Sequence, residues 1–323
     1  MSTASAPIAI YYEHPHWFKP LFAELERRGL PFDAIRADRL VADPASPWPG
    51  HHQVVLNRMS PSAWSRGSAG AVFFTRRVLT HLEASGAEVW NGSQAWELDI
   101  SKAGQQRLVE SLGLKTPRTR VVLSVDQLVE ASAELTFPLV VKPNIGGTGA
   151  GVERVDDLAE LEAKIASDSL MTGPDGVFLL QEYHPPQGNA VVRVETLGGR
   201  FLYAIKSHLE GAQSFNLCPA EASCTLDGRA LEGAAPAEQG TGARVEAFDP
   251  PAEIVAEVEA IAQAGDIDVG GVEYLISERD GERYYYDVNA LSNFVADPVT
   301  VLGFDPTARL VDALQDRLLL AAA

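Results

Sequence analysis

Apolar residues in the first third of the chain recur with two periods, one typical of strands and one typical of helices. The apolar runs PIAIYYE at 7–13 and QVVLNR at 53–58 predict buried strands. Between these runs, apolar residues from Phe18 to Leu25 recur at i, i+3, i+4 and i+7, which predicts one face of a helix. Strands that alternate with helices indicate an α/β unit over residues 1–97, with a parallel sheet covered on both faces.

A glycine-rich stretch, NIGGTGAGV at 144–152, stands out in the middle part of the chain, residues 98–184. It directly follows the apolar run FPLVVKP at 137–143, which predicts a strand with Lys142 near its end. The glycines have neither the GxGxxG spacing of a dinucleotide fold nor the GxxxxGK spacing of a P-loop. Bare backbone N–H groups beside a lysine suit a lid over phosphate groups, and a plain turn with a surface lysine is the alternative.

The last part of the chain, residues 185–323, is predicted to contain antiparallel strand pairs. Two alternating runs joined by Gly198-Gly199 give a strong hairpin signal. A second pair, VGGVEYLIS and RYYYDVNAL, follows a predicted helix near 252–263, and an amphipathic helix is predicted at 306–322. Residues 207–247 carry little pattern, which is typical of a functional or mobile loop.

Three oxygen-bearing side chains lie on the second strand pair. Strand alternation puts Asp287 and Asn289 on one face, and the turn decides whether Glu273 joins them. A two-residue turn would put Glu273 on the other face, whereas a three-residue turn would pair it with Asp287. Gly281 suits the left-handed last position of a three-residue turn, so we predict that turn. Carboxylate and amide oxygens suit Mg²⁺, and a solvated outer face of the hairpin is the alternative.

The composition narrows the class of protein. With 323 residues, of which 46% are hydrophobic and 22% charged, the chain suits two or three compact units. Its net charge of −18 would repel a phosphate backbone, so we expect no nucleic-acid partner. We expect no membrane partner either, because no long apolar run is present. Two cysteines, Cys218 and Cys224, are too few for a disulfide framework, which indicates a cytoplasmic location.

Several motifs resemble those of ATP-grasp ligases and occur in the same order: PLVVKPNIGGTGAGV, LLQEYHPPQGNAVVRVETLGG, and GGVEYLI followed by YYYDVNALSNF. The chain is most similar to the branch that contains the ribosomal-protein glutamate ligase and glutathione synthetase. The likeness extends upstream to VVLNRMSPSA, WNGSQAWELDISK and LGLKTP, so it covers most of the chain from about residue 50 onward. It implies an N-terminal parallel-sheet domain at 1–97, a small lid-bearing lobe at 98–184 and a C-terminal metal-binding lobe at 185–323, with the nucleotide between the last two.

The resemblance also implies an activity. Such ligases use ATP to convert a carboxylate to an acyl phosphate, which an amine attacks to form an amide bond, with release of ADP and phosphate. The expected cofactors are ATP and two Mg²⁺ ions, for which Mn²⁺ can substitute. The implied residues are Lys102 and Lys142 for the phosphates; Gly146, Gly147, Thr148, Gly149 and Gly151 for the lid; Gln181, Glu182 and Tyr183 for adenine and ribose; Glu273, Asp287 and Asn289 for the metal; and Arg193, catalytic together with Lys142, for the γ-phosphate or acyl phosphate.

The substrate loop departs from the family pattern. Relatives usually carry an arginine beside its asparagine, whereas here Phe215 precedes Asn216. Asn216 is a candidate substrate contact, and the missing charge could come from Lys206, His208 or Arg244. The identity of the acceptor therefore stays open.

Arg58 is a further candidate for substrate binding. It lies at the C-terminal end of a predicted parallel strand, where ligands bind in such sheets, and could pair with a substrate carboxylate. A surface arginine is the alternative. The expected partners are a small-molecule or peptide carboxylate, an amine and a second copy of the chain in a homo-oligomer. Two other classes stay open: a small-molecule phosphotransferase of the same fold and a non-catalytic nucleotide-binding module.

Overall fold

Three β-sheets with helices packed between and around them make up the structure, a computed structural model that describes residues 6–14, 16–41, 43, 52–147, 149–209 and 244–321. The mixed α/β character expected from the sequence is confirmed. Within these ranges, no helix is long and apolar enough to cross a membrane.

The first sheet is parallel, as predicted, and has four strands in the order β2-β1-β3-β4. Its elements are β1 (Ile8–Tyr12), α1 (Lys19–Arg27), β2 (Phe32–Arg36), β3 (Val54–Arg58), α2 (Ala69–Ala84) and β4 (Glu88–Trp90). Helix α1 buries Leu21 and Leu25 of the predicted apolar face. It is followed by Gly29 in the left-handed conformation, where a side chain would be strained.

The second sheet is antiparallel, with the order β5-β8-β6-β7, and it carries the glycine-rich stretch. The elements that lead to it and form it are α3 (Ser93–Asp99), α4 (Lys102–Ser111), β5 (Thr119–Val122), α5 (Leu128–Ser132), β6 (Leu139–Pro143), β7 (Glu153–Val155), α6 (Leu158–Ala166) and β8 (Phe178–Glu182). Helix α3 was not predicted, and the expected boundary between residues 97 and 98 falls within it. Ala95 of α3 and Val109 of α4 pack against Val288 of the third sheet's core, so the domain bounds stay a prediction.

The third sheet is antiparallel and five-stranded, with the order β11-β10-β9-β12-β13. Its elements are β9 (Ala190–Leu197), β10 (Arg200–His208), β11 (Arg244–Phe248), α7 (Ala252–Ala264), β12 (Val269–Ile276) and β13 (Arg283–Asn289), followed by α8 (Pro298–Leu302) and α9 (Pro306–Ala321). The hairpin at Gly198-Gly199 is confirmed, and both glycines have positive φ, 60° and 67°. Strand β11 was not predicted, because it lies within the stretch 207–247 that carries little pattern.

Apolar packing joins the first and third sheets and leaves the second sheet with a core of its own. Ile10 and Leu56 of the first sheet share a buried cluster with Tyr203 of the third sheet and Leu310 of α9. The buried cluster of the second sheet lies entirely within residues 122–180. Each fully buried aliphatic side chain stabilises the fold by about 1.5–3 kcal/mol. The first and third sheets therefore form one packed body, and a cleft separates it from the second sheet.

Asn91 ties the end of β4 to two strands of the third sheet. Its Oδ1 accepts from the backbone N of Asp268 and of Val269, at 2.8 and 3.0 Å. Its Nδ2 donates to the carbonyl oxygens of Val269 and Ala290, at 2.7 and 2.5 Å. The residue has a φ of 52°, which asparagine tolerates better than most residues. These bonds fix the end of β13, next to Asn289, against the first sheet.

Candidate active site

A cavity of about 250 Å³ lies in the cleft between the second and third sheets. Side chains and loops of the first part of the chain close one of its sides. Its lining includes most of the residues predicted for the site: Lys102, Lys142, Gly146, Gly147, Gly149, Gln181, Glu182, Tyr183, Arg193, Glu273, Asp287 and Asn289. The predicted residues Gly151, Arg58 and Lys206 are not part of the lining, and Thr148 and Asn216 lie outside the described residues.

The register of β12 and β13 brings Glu273 opposite Asp287, as predicted, but the predicted three-residue turn is wrong. The connection has four residues, 278–281, and the backbone N of Ser277 donates to the carbonyl of Glu282 at 2.8 Å. This longer turn alone would place Glu273 opposite Tyr286. A bulge at that residue adds one position to β13 and restores the pairing of Glu273 with Asp287.

Each of the two carboxylates is held by a cation. Lys102, the first residue of α4, donates its Nζ to Oδ1 of Asp287, and Asn289 donates Nδ2 to the other oxygen at 3.0 Å. Arg193 donates Nη1 to Oε1 of Glu273 at 2.8 Å. Burial opposes ionisation of Asp287, but the Lys102 ammonium holds the pKa of that carboxyl below its ordinary value. Burial raises the pKa of Glu273, with Arg193 acting against the rise.

These three oxygen-bearing side chains suit Mg²⁺. Across the described part of the chain, no group of three His, Cys, Asp or Glu side chains could hold a metal ion, so a site here needs the amide of Asn289 beside the two carboxylates. Magnesium prefers oxygen ligands and takes several of them from water and substrate phosphates, so a few protein ligands suffice. Glu273, Asp287 and Asn289 all line the same cavity, which leaves room for those other ligands.

Lys142 is buried and bonded to a side chain of the neighbouring strand. Its Nζ donates to Oε1 of Gln181 at 2.8 Å, and Gln181 donates Nε2 to the hydroxyl of Thr119 at 2.9 Å. Burial, and then the nearby Lys102, lower the pKa of Lys142 to about 7. Both polar atoms of the Gln181 amide thus have protein partners, and its side chain orients Lys142 within the cavity.

The last residue of β8, Glu182, and the residue after it, Tyr183, line the cavity beside Gln181. The Glu182 carboxylate accepts from the backbone N of Thr136 at 2.8 Å, and Tyr183 donates its backbone N to the carbonyl of Pro138 at 2.9 Å. His184, which was not predicted, also lines the cavity. Its Nδ1 lies 3.0 Å from the Ser277 hydroxyl, and burial lowers its pKa. The sequence could have indicated His184 as a lining residue, because it directly follows Gln181, Glu182 and Tyr183, which were predicted for the site.

The glycine-rich stretch rests against the first part of the chain. A Cβ at Gly147 would lie 2.7 Å from Cβ of Ser62, which belongs to the 3-10 helix at Pro61–Arg66. The φ of Gly147 is 157°, which other residues rarely adopt. Both constraints require glycine, so the stretch contacts Ser62 through bare backbone. The N–H groups of this stretch are consistent with the predicted lid, whose role stays a prediction.

Arg193 has a second anionic partner that the sequence analysis did not identify. Its Nε donates to Oε1 of Glu195 at 2.5 Å, and Glu195 is completely buried. A Cβ at Gly271 of the adjacent strand would lie 2.7 Å from Nε of Arg193, so glycine leaves the space for the guanidinium. Alternation along β9 puts Arg193 and Glu195 on one face, and this period-two spacing was the signal that could have found the pair.

Arg58 does not face the cavity as expected. It is buried, donates Nη2 to the carbonyl of Ser292, and stacks over the ring of Phe18 at 5.3 Å from the centroid. Burial lowers the pKa of Arg58 to about 10, still well above neutrality. Its position at the end of β3 was predicted correctly, but the segment after β13 covers that end, so the alternative of a surface arginine is also wrong.

The candidate replacements for the missing substrate-loop charge gather around one carboxylate away from the cavity. His208 Nε2 lies 2.9 Å from Oε1 of Glu246, and Arg244 donates Nη1 to the other oxygen at 3.0 Å. Lys206 lies directly opposite Glu246 in the pairing of β10 with β11. None of these three basic side chains belongs to the cavity lining.

Sequence comparisons give partial matches. A scan against known protein families finds no match. The D-alanine–D-alanine ligase of Pseudomonas entomophila is 41% identical over 73 residues, which are 23% of this chain and 23% of that ligase. The carbamoyl phosphate synthase large chain of Mesorhizobium japonicum is 26% identical over 198 residues, 57% of this chain and 16% of that protein. The chain thus spans less than a quarter of the length of these curated relatives.

Structural comparisons match nearly the whole chain. The ATP-grasp ligase PsnB with a minimal precursor has a TM-score of 0.68 at 18% identity, over 97% of this chain and 99% of that chain. A RimK-domain ATP-grasp protein from Sphaerobacter thermophilus has a TM-score of 0.67 at 18% identity, over 95% and 98%. The D-alanine–D-alanine ligase of Bacillus anthracis with ATP has a TM-score of 0.66 at 16% identity, over 99% of both chains. At such identities, what is shared is the fold.

Proposed function

We propose that the chain belongs to the ATP-grasp superfamily, whose fold it shares, and that it is an ATP-dependent ligase that joins a carboxylate to an amine. One observation carries this proposal: the lysines, the arginine and the oxygen ligands expected for the reaction line a single cavity. The D-alanine–D-alanine ligase and PsnB are ligases by name, which supports the same class of reaction. The substrates are a small-molecule or peptide carboxylate and an amine.

ATP would lie between the second and third sheets. Lys102 and Lys142 bind its phosphates, and the segment from Glu182 to His184 contacts the base and ribose. Glu273, Asp287 and Asn289 would hold Mg²⁺, which when bound would supply charge neutralisation at the phosphates. Lys102 donates to Asp287 and lines the cavity, so its ammonium can contact both the metal-binding carboxylate and a phosphate.

The reaction begins when an oxygen of the substrate carboxylate attacks the γ-phosphorus of ATP. The bond to the bridging oxygen of ADP breaks, and an acyl phosphate forms. Lys142 and Arg193 lie where they can stabilise negative charge on the transferred phosphoryl group. The glycine-rich stretch, pressed against Ser62, limits the access of water to this mixed anhydride.

An amine then attacks the carbonyl carbon of the acyl phosphate. The tetrahedral intermediate collapses with loss of phosphate, and the amine loses a proton, so the products are an amide, ADP and phosphate. Arg193 is the cation placed to stabilise the oxyanion, because Glu195 and Glu273 hold its guanidinium in a fixed position.

Product analysis tests the proposal. Phosphate release from Mg·ATP is measured across a matrix of carboxylic acids and amines, with Asp287→Asn as the inactive control. Release that needs both an acid and an amine, together with a condensed product, supports a ligase. A stable phosphorylated product would instead indicate a phosphotransferase, and nucleotide binding without turnover would indicate a binding module.

A further inference from the structure

One side of the cavity carries no charged side chain. We call it the neutral wall, and its members are Trp17, Ser60, Pro61, Ser62, Leu291 and Asn293. They come from the segments after β1, β3 and β13, whereas the lysine and arginine side chains of the cavity lining, Lys102, Lys142 and Arg193, come from α4, β6 and β9. The cavity therefore has a charged part, suited to phosphates and metal, and a neutral part suited to the body of a substrate.

The indole of Trp17 is held in place within this wall. The His14 ring stacks on it with centroids 4.0 Å apart, and the Arg66 guanidinium lies 5.2 Å from its centroid. The backbone N of Trp17 donates to Nδ1 of His14 at 3.3 Å, so that nitrogen is unprotonated. Burial and the charge of Arg66 lower the pKa of His14 to about 3, which keeps the imidazole neutral. Trp17 thus presents a fixed apolar surface to the cavity.

The two arginines nearest the wall, Arg58 and Arg66, do not belong to the cavity lining. Arg66 donates Nε and Nη2 to the two carboxylate oxygens of Glu13, at 3.2 and 2.5 Å, and Nη1 to the hydroxyl of Ser62 at 3.0 Å. Arg58 donates Nη2 to the carbonyl of Ser292, and its Nε and Nη1 are buried without a partner within the described residues, but the side chain lies outside the cavity lining. Within the described residues, the lining on this side of the cavity contains no cationic side chain that could pair with a second carboxylate of a substrate.

Asn293 adds one polar contact to the wall. Its Oδ1 is buried and accepts no hydrogen bond within the described residues. Asn293 lies beside Phe294, which has a φ of 50°, an uncommon conformation for a bulky residue that is often found at functional sites. A ligand with an N–H or O–H group would satisfy the Asn293 oxygen, whereas a carboxylate offers no donor.

We propose that the substrate seated on the neutral wall has a partly apolar body without a further negative charge, and that its only carboxylate is the one that becomes activated. This inference rests on the proposed ligase function, because it takes the activated group to be a carboxylate. Apolar surface of the substrate packs on Trp17 and Leu291, and a donor group bonds to Asn293. A second carboxylate would lose its hydration against these residues without an ionic partner, which is strongly unfavourable.

Equilibrium binding tests the inference without depending on turnover. The protein is saturated with Mg²⁺ and a non-hydrolysable ATP analogue and is titrated calorimetrically with L-glutamine, L-glutamate and L-leucine. Glutamine has nearly the shape of glutamate but an N–H donor in place of the charge, and leucine has neither group, so the three affinities together separate the effect of the second carboxylate from that of the donor. We expect glutamate to bind at least tenfold more weakly than glutamine or leucine.

Two substitutions connect that preference to the wall. Trp17→Ala is expected to weaken leucine binding at least tenfold, whereas Trp17→Phe has a much smaller effect because it keeps an aromatic surface. Asn293→Lys supplies a cation and is expected to bring the affinities for glutamate and glutamine together. Melting temperature and affinity for the ATP analogue are measured for each variant, so that a loss of folding is not mistaken for a loss of substrate binding.

The outcomes separate this inference from the ligase proposal. Glutamate binding as tight as glutamine binding, an unchanged leucine affinity in Trp17→Ala, or no binding of any of the three acids would overturn the inference. Hydroxylamine converts an acyl phosphate to a hydroxamate and phosphate, so it reports activation without a known amine. Selective binding of the neutral acids with no hydroxamate and no ADP from Mg·ATP would refute the ligase proposal and leave the neutral binding wall in place.

Discussion

Arg193 and Glu195 form a charge pair that is wholly internal to β9, with Nε of the arginine 2.5 Å from Oε1 of the glutamate. The Glu195 side chain is completely buried and does not contact solvent. Burying a carboxylate is costly unless a cation and further hydrogen bonds compensate it. The contact with Glu195 orients the Arg193 guanidinium, so that its Nη1 points toward Glu273, its second partner.

Glu195→Gln is expected to keep the shape of the site and to lower turnover. The amide can still accept a hydrogen bond from Arg193, but only the carboxylate of Glu273 then balances the charge of the guanidinium. The guanidinium is therefore held less firmly in its position. We expect kcat to fall about tenfold or more while KM for ATP changes little, because Lys102 and Lys142 bind the phosphates. The free energy of unfolding should fall by about 3 kcal/mol, the lower end for a broken buried ion pair, because the amide keeps one hydrogen bond. Steady-state kinetics and denaturant unfolding measure the two effects.

The space for that guanidinium can be tested from the neighbouring strand. Gly271→Ala would place a Cβ 2.7 Å from Nε of Arg193 and 2.8 Å from Oε1 of Glu195. We expect this variant to reproduce the kcat defect of Glu195→Gln. A Gly271→Ala variant with wild-type kcat would show that the position of Arg193 does not limit turnover. Gly70→Ala in α2, where the added Cβ would have no heavy atom within 4 Å and φ is not positive, serves as a matched substitution outside the site.

Removing the charge of Asp287 is expected to abolish turnover and to leave the fold intact. Asp287 receives a hydrogen bond from Lys102 and one from Asn289, so the amide of Asp287→Asn fits the same space. Without the carboxylate, the Mg²⁺ site has lost its most acidic ligand, and we expect kcat/KM to fall at least a thousandfold. Asp316→Asn, on the exposed face of α9, is the matched control and should keep full activity. Near-wild-type activity of Asp287→Asn would show that Asp287 is not a ligand of the Mg²⁺ ion.

The pKa of Lys142 predicts how ATP binding depends on pH. Burial lowers this pKa to about 7, so the free protein carries a mixture of charged and neutral Lys142 near neutrality. Only the protonated amine neutralises a phosphate. The Kd for ATP should therefore be constant below about pH 7 and rise by up to tenfold per unit above it. In Lys142→Arg the side chain stays charged, so the slope should disappear. An unchanged slope in that variant would assign the titration to another group.

Local patterns predicted the strands and helices well, because each one is encoded by the periodicity of its own residues. The pairing of Glu273 with Asp287 was also predicted, but for a reason that was only partly right. The turn signal of Gly281 was correct, since this residue has a φ of 74°, but the turn is one residue longer and the bulge at Tyr286 compensates. A bulge depends on packing against neighbouring strands, which no turn rule records.

The errors in the site have a common cause. Arg58 was placed correctly at the end of β3, but the segment near Ser292 that covers it is more than 200 residues away in sequence. The neutral wall has the same property, because Trp17 and Asn293 come from opposite ends of the chain. Long-range contacts of this kind cannot be derived from spacing. Glu195, by contrast, lies two positions from Arg193 and could have been found from strand alternation.

Asp268 gives a final prediction, about stability. Burial raises the pKa of this carboxyl to about 6, even though its Oδ2 accepts from the backbone N of Asn91 at 2.7 Å. A carboxyl whose pKa is higher in the folded protein than in the unfolded chain binds its proton more tightly when folded. Between about pH 4 and pH 6, the folded state therefore holds more protons at this site, and its contribution to the free energy of unfolding falls as the pH rises.

The size of this contribution is at most about 3 kcal/mol, since one pKa unit corresponds to about 1.4 kcal/mol. Asp268→Asn removes the titrating group and keeps an oxygen that can accept from Asn91. Urea unfolding of both proteins at pH 4 and pH 7 gives two free-energy differences, and subtracting one from the other cancels all other titrating groups. We expect the wild type to lose about 2–3 kcal/mol more than the variant between these pH values. An equal loss in both proteins would mean that Asp268 ionises as freely in the folded state as in the unfolded chain, and that the Asn91 contact offsets its burial.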